Sequence, residues 1–436
     1  MGQPCVGPHL LEKENMYPKL STLALLVICL SGCVDKSRDL SSVSNPTGDP
    51  SSNDGNATTE TFDRSALMAN LADNVIIPNY QATASLARAF AGSSGPLADY
   101  CESIGLADED SELDDAKAGW RTLMDSVQKT EMHVLGPALR NDEALHNRIH
   151  SYSTGSLATC GLDLAVVASA SGNYQVESRA FNQRGMSAVE YLLFNEELTH
   201  TCSSQIAETA NWNDLTETER KTQRCNLAMT LAEDISAASN LIAEQWTEGT
   251  SPYRDEFLAE ESLGENFQML TDAMFYIETY TKSQKLAIPL GINNKCSSTT
   301  CPGLIESPYS ENSLRNIQVN TTEFLKMFNG DTGIGFDDLI VDEGFADIAL
   351  RFQNQLADVN NQINQISGSL VDHVALVEAD LSNQACVNGY ANPDTESTIE
   401  ACNLAGLLKR VTDDFKIEFV TIVGVALPDR VQSDND

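Results

Sequence analysis

Apolar residues recur three and four positions apart along most of the chain after residue 64, and segments in which apolar and polar residues alternate are scarce. A period near 3.6 is that of an amphipathic α-helix, whereas a half-buried strand has a period of two. The sequence therefore predicts an all-α protein. Helices are expected over 65–91, 110–134, 144–169, 174–197, 217–247, 255–287, from about 313 to 329, and over 356–377.

The narrowest apolar stripe lies in 356–377, where it continues for six turns. A stripe of this width is typical of a helix in a bundle. Pro78 lies inside the first predicted helix and is expected to kink it, because proline lacks the backbone N–H. The stripe consists of Leu356, Val359, Ile363, Ile366, Leu370, Val374 and Val377.

Two stretches interrupt the helical pattern. Residues 291–312 contain two cysteines and two prolines, and they predict a long loop, a kind of segment that is often functional or cross-linked. Residues 201–215 have weak periodicity. Because about 370 residues exceed what one core usually covers, we expect two helical-bundle domains, 65–205 and 206–436, that meet near this second stretch.

Residues 1–33 differ from the rest of the chain. Lys19 precedes the apolar run 23–30, and Ser-Gly-Cys33 follows it. The run is too short to span a membrane and has the length of a signal-peptide core. Because Leu-Ser-Gly-Cys resembles the bacterial lipobox, we predict a lipoprotein signal peptide with Cys33 as the lipidated first residue of the mature chain. Met1 and Met16 are both compatible with its start.

Residues 34–64 are dominated by Ser, Asn, Asp, Gly and Thr. Such a composition cannot bury a core and predicts a disordered tether with an r.m.s. reach of about 30 Å. Val34, directly after the lipidated cysteine, favours the outer membrane over the inner one. We therefore expect a cell-envelope protein held to the outer membrane by its lipid anchor, on the periplasmic or the surface face.

Charge narrows the choice of partners. The chain has 27 Lys and Arg against 63 Asp and Glu, a net charge of −36. This acidity disfavours nucleic acid and anionic lipid surfaces as partners. Solubility in a salty habitat is the simpler explanation for it.

Cysteine usage agrees with export. Of 11 cysteines, Cys5 and Cys29 lie in the predicted signal peptide and Cys33 carries the lipid. An even number remains, which in an oxidising compartment predicts up to four disulfides, and we expect neighbours along the sequence to pair. The disulfide candidates are Cys101, Cys160, Cys202, Cys225, Cys296, Cys301, Cys386 and Cys402.

A carboxylate interrupts an apolar stripe in the segment 184–194. On a helix, Glu190 shares a face with Met186, Leu193 and Phe194,. A buried carboxylate must meet a cation, a hydrogen-bond donor or a metal, or else be protonated. Arg184 is the nearest cationic partner. A glutamate that only ties helices together is an equally good interpretation.

The segment from Gly185 to Glu190, followed by Tyr-Leu-Leu-Phe, resembles the signature of the imelysin family, Gly-x-His-x-x-Glu before an apolar run. The resemblance implies two helical bundles with a site in the cleft between them and a link to iron uptake. Some members of the family have been classed as M75-type metallopeptidases. Further landmarks agree in order over nearly the whole mature chain: 75–78, Trp120, Gly136-Pro137, Trp246, 285–291, Glu306-Ser307 with Ser310, and Leu427-Pro428.

The chain departs from the signature at Ser187, where the family has its histidine. A serine hydroxyl is a poor ligand for zinc or ferrous iron, whereas imidazole is a good one. We therefore assign no catalytic residue. The ligand-binding residues that the resemblance carries over are Glu190, Ser187, Arg184 and Gly185, and Glu190 is the one metal-ligand candidate among them.

The leading hypothesis is a lipid-anchored envelope protein that binds a ligand of iron or haem acquisition, with iron, another divalent metal or haem as the bound group. Other iron-uptake envelope proteins are the partners that the family suggests. One alternative is a metal-dependent peptidase of the imelysin type. The other is a surface interaction protein with a degenerate site, in which Glu190 is paired with Arg184 or Lys285.

Two histidines four residues apart, His146 and His150, could reach one ion from the same helix face,. The preferred interpretation is a solvent-exposed start of a helix. His133, near the end of another predicted helix, is interpreted as a partner of the helix dipole.

Overall fold

A computed structural model of the protein describes residues 62–150, 152, 155–380, 384–395 and 397–432. These residues form helices joined by turns and loops, with no strand among them, which confirms the predicted all-α class. The α-helices are α1 Arg64–Leu71, α2 Ile77–Ala91, α3 Pro96–Ser103, α4 Glu109–Thr130, α5 Arg140–Ile149, α6 Thr159–Ala170, α7 Gly185–Phe194, α8 Glu217–Thr247, α9 Tyr253–Phe257, α10 Leu263–Met274, α11 Ser313–Asn329, α12 Phe336–Asp342, α13 Ala346–Gln365, α14 Leu370–Ala379, α15 Gln384–Ala391, α16 Glu400–Asp414, α17 Val420–Val423 and α18 Asp429–Gln432.

Helix α8 is the element around which the helices of the site are arranged, since it packs against α2, α5, α6 and α7. A capping box begins it: the Thr216 hydroxyl accepts from the Glu219 N–H, and the Glu219 carboxylate accepts from the Thr216 N–H,. Its 31 residues contain no glycine or proline, so its own sequence supports an uninterrupted helix.

The described residues belong to one compact unit, 60–436. Helix α8 follows residue 205 in the sequence and packs against α2 and α7, which precede it. The division into bundles at 65–205 and 206–436 stays a prediction.

Several predicted helices are confirmed. The ranges 217–247 and 313–329 coincide with α8 and α11, and Gly330 ends α11 in a left-handed conformation,. The range 65–91 is helical throughout, but Ala72–Ile76 form a π-helical turn directly before α2. This wider turn accommodates Pro78, which lacks an N–H for the regular hydrogen bond.

The prediction of one helix over 356–377 is wrong. Helix α13 ends at Gln365, and Gly368 adopts a left-handed φ of 83° before α14 begins. Ser369 and Asp372 form the capping box of α14. This Ser-x-x-Asp signal is visible in the sequence, but the apolar stripe continues through the break and concealed it.

Three other predicted helices are wrong as continuous elements. The apolar residues Leu157, Val176 and Leu258 of their connecting segments pack against the core, so apolar spacing does not reveal the breaks. The range 144–169 is divided between α5 and α6, and 174–197 contains the 3-10 turns Val176–Ser178 and Phe181–Gln183 before α7. The range 255–287 is divided among α9, α10 and the π-helical segment Ile277–Ala287.

All eight cysteines outside the predicted signal peptide and lipid site are paired. Cys296–Cys301 and Cys386–Cys402 join sequence neighbours as expected. Cys160–Cys202 also joins two consecutive cysteines, whereas Cys101–Cys225 does not, so the prediction of neighbour pairing is wrong for Cys101–Cys225. Cys101–Cys225 joins α3 with α8, and Cys160–Cys202 joins α6 with the loop after α7.

The predicted signal peptide 1–33, the lipidated Cys33 and residues 34–61 of the predicted tether lie outside the described residues. Helix α1 begins at Arg64, which is the last residue of the predicted tether. In the described part of the chain, no helix combines the length and the apolar character that crossing a membrane requires.

Candidate ligand-binding site

The signature glycine sets where helix α7 begins. Gly185 has a φ of 71°, and a Cβ atom there would lie 2.8 Å from the carbonyl oxygen of Ile149 at the end of α5. Only glycine combines this left-handed backbone with so close an approach. Trp120 of α4 donates to the carbonyl of Met186 at 3.1 Å. The start of α7 is therefore held between α4 and α5.

Glu190 is buried, as its place in the apolar stripe predicts, and it is 1% exposed. Its Oε1 accepts hydrogen bonds from the Ser310 N–H at 2.7 Å and the Ser310 hydroxyl at 2.8 Å. Burial raises the pKa of the Glu190 carboxyl from its ordinary 4.5 to about 7, although the Ser310 hydrogen bonds act in the opposite direction,. Near neutral pH this group can both accept and donate a proton.

Glu190 lies at the wall of a cavity of about 690 Å³. Helix α7 contributes Ser187 and Glu190, and residues 302–309 of the loop before α11 form the longest continuous part of the lining. The loop predicted over 291–312 is confirmed. Its residues form one 3-10 turn, Pro302–Leu304, and no α-helix. The volume is within the range of small-molecule sites, which are about 300–1,000 Å³.

The charged side chains that line this cavity are Glu190, Lys295 and Glu306. Ser187 and Glu190 lie on one side, Lys295 supplies a cation, and Tyr152 and Tyr309 supply phenols. The hydroxyl of Tyr152 donates towards the carbonyl oxygens of Gln284 and Leu304. The cavity thus has a largely apolar lining, and its carboxyl, cation and phenol can orient a ligand.

The other two residues carried over from the signature act away from the cavity. The Arg184 guanidinium donates to Asp234 of α8 at 2.6 and 3.0 Å, and Arg148 donates to the second oxygen of the same carboxylate at 2.6 Å. The hydrogen bonds to Glu190 come instead from Ser310. Gly185 contributes through its backbone.

A buried carboxylate in the cavity wall, Glu306, was missed as part of the site. Glu306 accepts from His150 Nε2 at 2.6 Å, and the Lys285 ammonium lies 3.3 Å from its other oxygen. Burial would raise the pKa of Glu306, but Lys285 and the His150 hydrogen bond outweigh it and hold the pKa at about 2. Glu306 and Lys285 occur in the landmark segments of the family, which was the available signal.

The interpretation of His146 and His150 as an exposed helix start is wrong. They are 4% and 1% exposed, and Glu131, 2% exposed, lies between them. Glu131 Oε1 is 3.3 Å from His146 Nε2 and 3.3 Å from His150 Nδ1. Burial lowers the pKa of His146, so this ring is neutral near physiological pH.

His133 is also buried, with its Nε2 3.1 Å from the amide nitrogen of Asn79. Burial lowers its pKa to about 3. A neutral ring cannot act as the charged partner of a helix dipole, so that interpretation of His133 is wrong.

The site does not have the ligands of a zinc peptidase at Glu190. Such centres use three protein ligands and one open position. Among the described residues, the cluster of three metal-ligating side chains is Glu131, His146 and His150, and Glu190 does not belong to it. The residues around Glu190 fit a binding pocket for a whole ligand better than a first coordination shell.

A family model, Imelysin (Peptidase_M75), matches residues 76–405. The chain belongs to the imelysin family. The match extends from α2 into the first part of α16 and includes the α7 signature and the loop that carries Ser310. This member of the family has Ser187 at the position of the signature histidine. It nevertheless keeps the fold, the glycine at the start of α7 and the buried Glu190.

Two solved structures show the same fold. One, from Parabacteroides distasonis ATCC 8503, bears the name "putative iron-regulated protein A precursor"; it is 17% identical with a TM-score of 0.55 over 81% of this chain and 95% of that one. The other is an imelysin-like protein from Psychrobacter arcticum 273-4, 16% identical with a TM-score of 0.55 over 84% of this chain and 96% of that one. No curated protein matches the sequence.

Proposed function

We propose that this imelysin-family protein binds a small ligand of iron or haem acquisition in the cavity at Glu190 and presents it at the cell envelope. The observation that carries the proposal is a carboxyl with a pKa of about 7, buried at the wall of a largely apolar cavity of about 690 Å³. One structural relative is named as iron-regulated, which supports the choice of ligand class.

The cavity suggests how such a ligand would be held. An apolar ligand body replaces water along the wall of residues 302–309, and the hydrophobic effect favours this exchange. Glu190 exchanges a hydrogen bond with a polar group of the ligand, while Ser310 keeps the carboxyl oriented. Lys295 pairs with a ligand carboxylate. Haem combines an apolar macrocycle with propionate carboxylates, and citrate-type iron chelates also carry carboxylates.

The location of the protein is part of the proposal. The lipobox at Cys33 and the tether after it would hold the folded part of the chain at the outer membrane, within reach of other envelope proteins that pass iron or haem onward. Eight cysteines paired as disulfides support an oxidising compartment outside the cytoplasm.

The test is ligand binding by the mature chain, purified without chelators. Its iron and haem content are measured by elemental analysis and absorption, and the ligand-free chain is titrated with haemin and with ferric citrate. Glu190→Ala is expected to lose binding, because it removes the carboxyl and leaves Ser310 without its acceptor. The matched control is Glu244→Ala, on the exposed face of α8, which is expected to bind as the wild type does.

Full binding by Glu190→Ala would refute the assignment of the cavity. Failure of the wild-type chain to bind either probe would refute the ligand class and favour a protein that acts through its surface.

A further inference from the structure

The buried cluster of Glu131, His146 and His150 lies outside the cavity and takes no part in the binding proposed above. Glu131 stands in the 3-10 turn that follows α4, His146 is in the last turn of α5, and His150 is the residue that ends α5. All three are at most 4% exposed. Three polar side chains thus meet in the interior where α4 and α5 end.

The facing atoms of this cluster have no hydrogen-bond partner. Glu131 Oε1, His146 Nε2 and His150 Nδ1 are all buried and unpaired in the described structure. A buried polar atom without a partner is unfavourable, because it has lost its hydrogen bonds to water and gained none in return. Three such atoms converging on one point indicate that something belongs between them.

The tautomer of His150 identifies what is missing. Its Nε2 lies 2.6 Å from Glu306 Oε1, and a carboxylate oxygen is an acceptor, so Nε2 carries the proton of the ring. The lone pair of Nδ1 is then directed at Glu131 Oε1, which is itself an acceptor. Two acceptors that face each other need either a shared proton or a metal ion between them.

The spacing fits a metal ion. Tetrahedral ligands at about 2.0–2.1 Å from a metal stand about 3.3 Å apart. The separations observed from Glu131 Oε1 are 3.3 Å to His146 Nε2 and 3.3 Å to His150 Nδ1. All three ligand atoms lie within 4.8 Å of one another.

We propose that Glu131, His146 and His150 bind one divalent transition-metal ion, of the class of Zn²⁺ or Fe²⁺. Two imidazoles and one carboxylate suit both ions and leave an open coordination position for water. The carboxylate of Glu306, hydrogen-bonded to His150, orients that ring in the way that carboxylates commonly orient metal-bound histidines,. The site uses neither Ser187 nor Glu190, so it is independent of the signature position that this chain has lost.

The site also has a structural connection to the cavity. Glu306 contacts His150 on one side and lines the cavity on the other. A bound metal would fix His150 and Glu306 together and thereby stiffen the cavity wall. Metal binding itself does not depend on a ligand in the cavity.

The experiment is titration of the tag-free mature chain, stripped with EDTA, with Co²⁺ and then Zn²⁺. Ligand-field absorption of Co²⁺ reports the coordination geometry, and calorimetry gives stoichiometry and affinity. We expect one equivalent per chain, a four- or five-coordinate Co²⁺ spectrum, and displacement by Zn²⁺. Glu131→Gln, His146→Gln and His150→Gln should each abolish this spectrum. Glu306→Gln, which removes only the orienting carboxylate, should weaken affinity about 10–100-fold.

Two controls separate this site from other effects. His133→Gln changes another buried histidine two residues from Glu131 and should retain the Co²⁺ spectrum. Glu190→Gln should retain it as well, so a failure of the cavity proposal leaves this result unaffected. If a ligand variant does not fold, the wild-type chain supplies the second readout, because binding to the native state alone must raise its Tm with Zn²⁺ concentration.

Absence of stoichiometric binding by the wild-type chain would overturn the proposal, and so would a spectrum that survives all three ligand substitutions. Weak binding of six-coordinate Co²⁺ would also overturn the proposal, because it indicates binding to surface carboxylates.

Discussion

Glu190→Gln isolates the effect of one buried carboxyl on the pH dependence of folding. Glutamine has nearly the same shape as a protonated glutamate, and its carbonyl oxygen can accept the two hydrogen bonds that Ser310 donates. It cannot ionise. The change therefore removes the titration while it preserves the packing of α7 and the contact with the loop before α11.

The size of the effect follows from the shift in pKa. Burial raises the Glu190 pKa from 4.5 in its ordinary state to about 7 in the folded chain. A difference of about 2.5 in pKa corresponds to about 3 kcal/mol. Below pH 4.5 both states are protonated and the stabilising contribution is fully present. It decreases as the unfolded state loses its proton, and it is lost once the pH has risen through 7.

The assay is urea denaturation of the wild type and Glu190→Gln with disulfides intact, at intervals from about pH 4.5 to about pH 8.5. The quantity compared is the difference between the two free energies of unfolding, in which groups common to both proteins cancel. We expect the wild type to lose about 3 kcal/mol relative to the variant over this range. Glu306 stays ionised throughout because its pKa is about 2.

Glu244→Gln on the exposed face of α8 serves as the control, and it should show no such trend. A difference between wild type and Glu190→Gln that stays constant within about 0.5 kcal/mol would refute the argument that burial keeps this carboxyl protonated. A difference of opposite sign would mean that Glu190 is stabilised as an anion.

Three further changes test the structure around the site. Gly185→Ala should destabilise the fold by about 2 kcal/mol or more, seen as a lower Tm, because of its φ of 71° and the 2.8 Å approach to a backbone oxygen,; Gly264→Ala, in a helix with open space around it, should be neutral or stabilising. Replacing Cys160 and Cys202 together by serine should cost about 4 kcal/mol in urea denaturation, since the disulfide closes a loop of 42 residues,, and an unchanged midpoint would contradict the pairing. Asp234→Asn should cost about 3–5 kcal/mol because two arginines lose their shared carboxylate,, and retention of wild-type stability would show that those arginines have other adequate partners.

Local physics explains which helices could be predicted. Helices α8 and α11 have continuous apolar faces, and clear signals mark their ends: the Thr216 capping box and the left-handed Gly330. Such signals act over a few residues, so the sequence contains all that is needed. The break between α13 and α14 had the same kind of signal at Ser369, but an apolar stripe that continues across it outweighed the signal in the prediction.

The candidate site likewise combines features that the sequence could predict with features that it could not. The burial of Glu190 could be inferred from the apolar residues one turn away on α7, because neighbours on a helix share a face. Its partner Ser310 is 120 residues distant in sequence, and hydrogen-bond geometry over that distance depends on how α7 and the loop before α11 pack. Arg184 was the nearest cation in sequence, yet the fold directs it to Asp234 on α8.

The sequence by itself determined the all-α class, the family, the buried Glu190 and the loss of the signature histidine at Ser187. The tertiary structure decided the disulfide pairs that cross between helices, the cavity beside Glu190, and the meeting of Glu131 with His146 and His150. The physical reason is the distance along the sequence over which each feature is set. Periodicity and capping depend on residues within one or two turns, whereas burial of a polar group depends on which distant helices cover it. The spacing of His146 and His150 does not reveal their burial, and it is the tertiary structure, which brings Glu131 in the turn after α4 to the end of α5, that buries them beside a carboxylate.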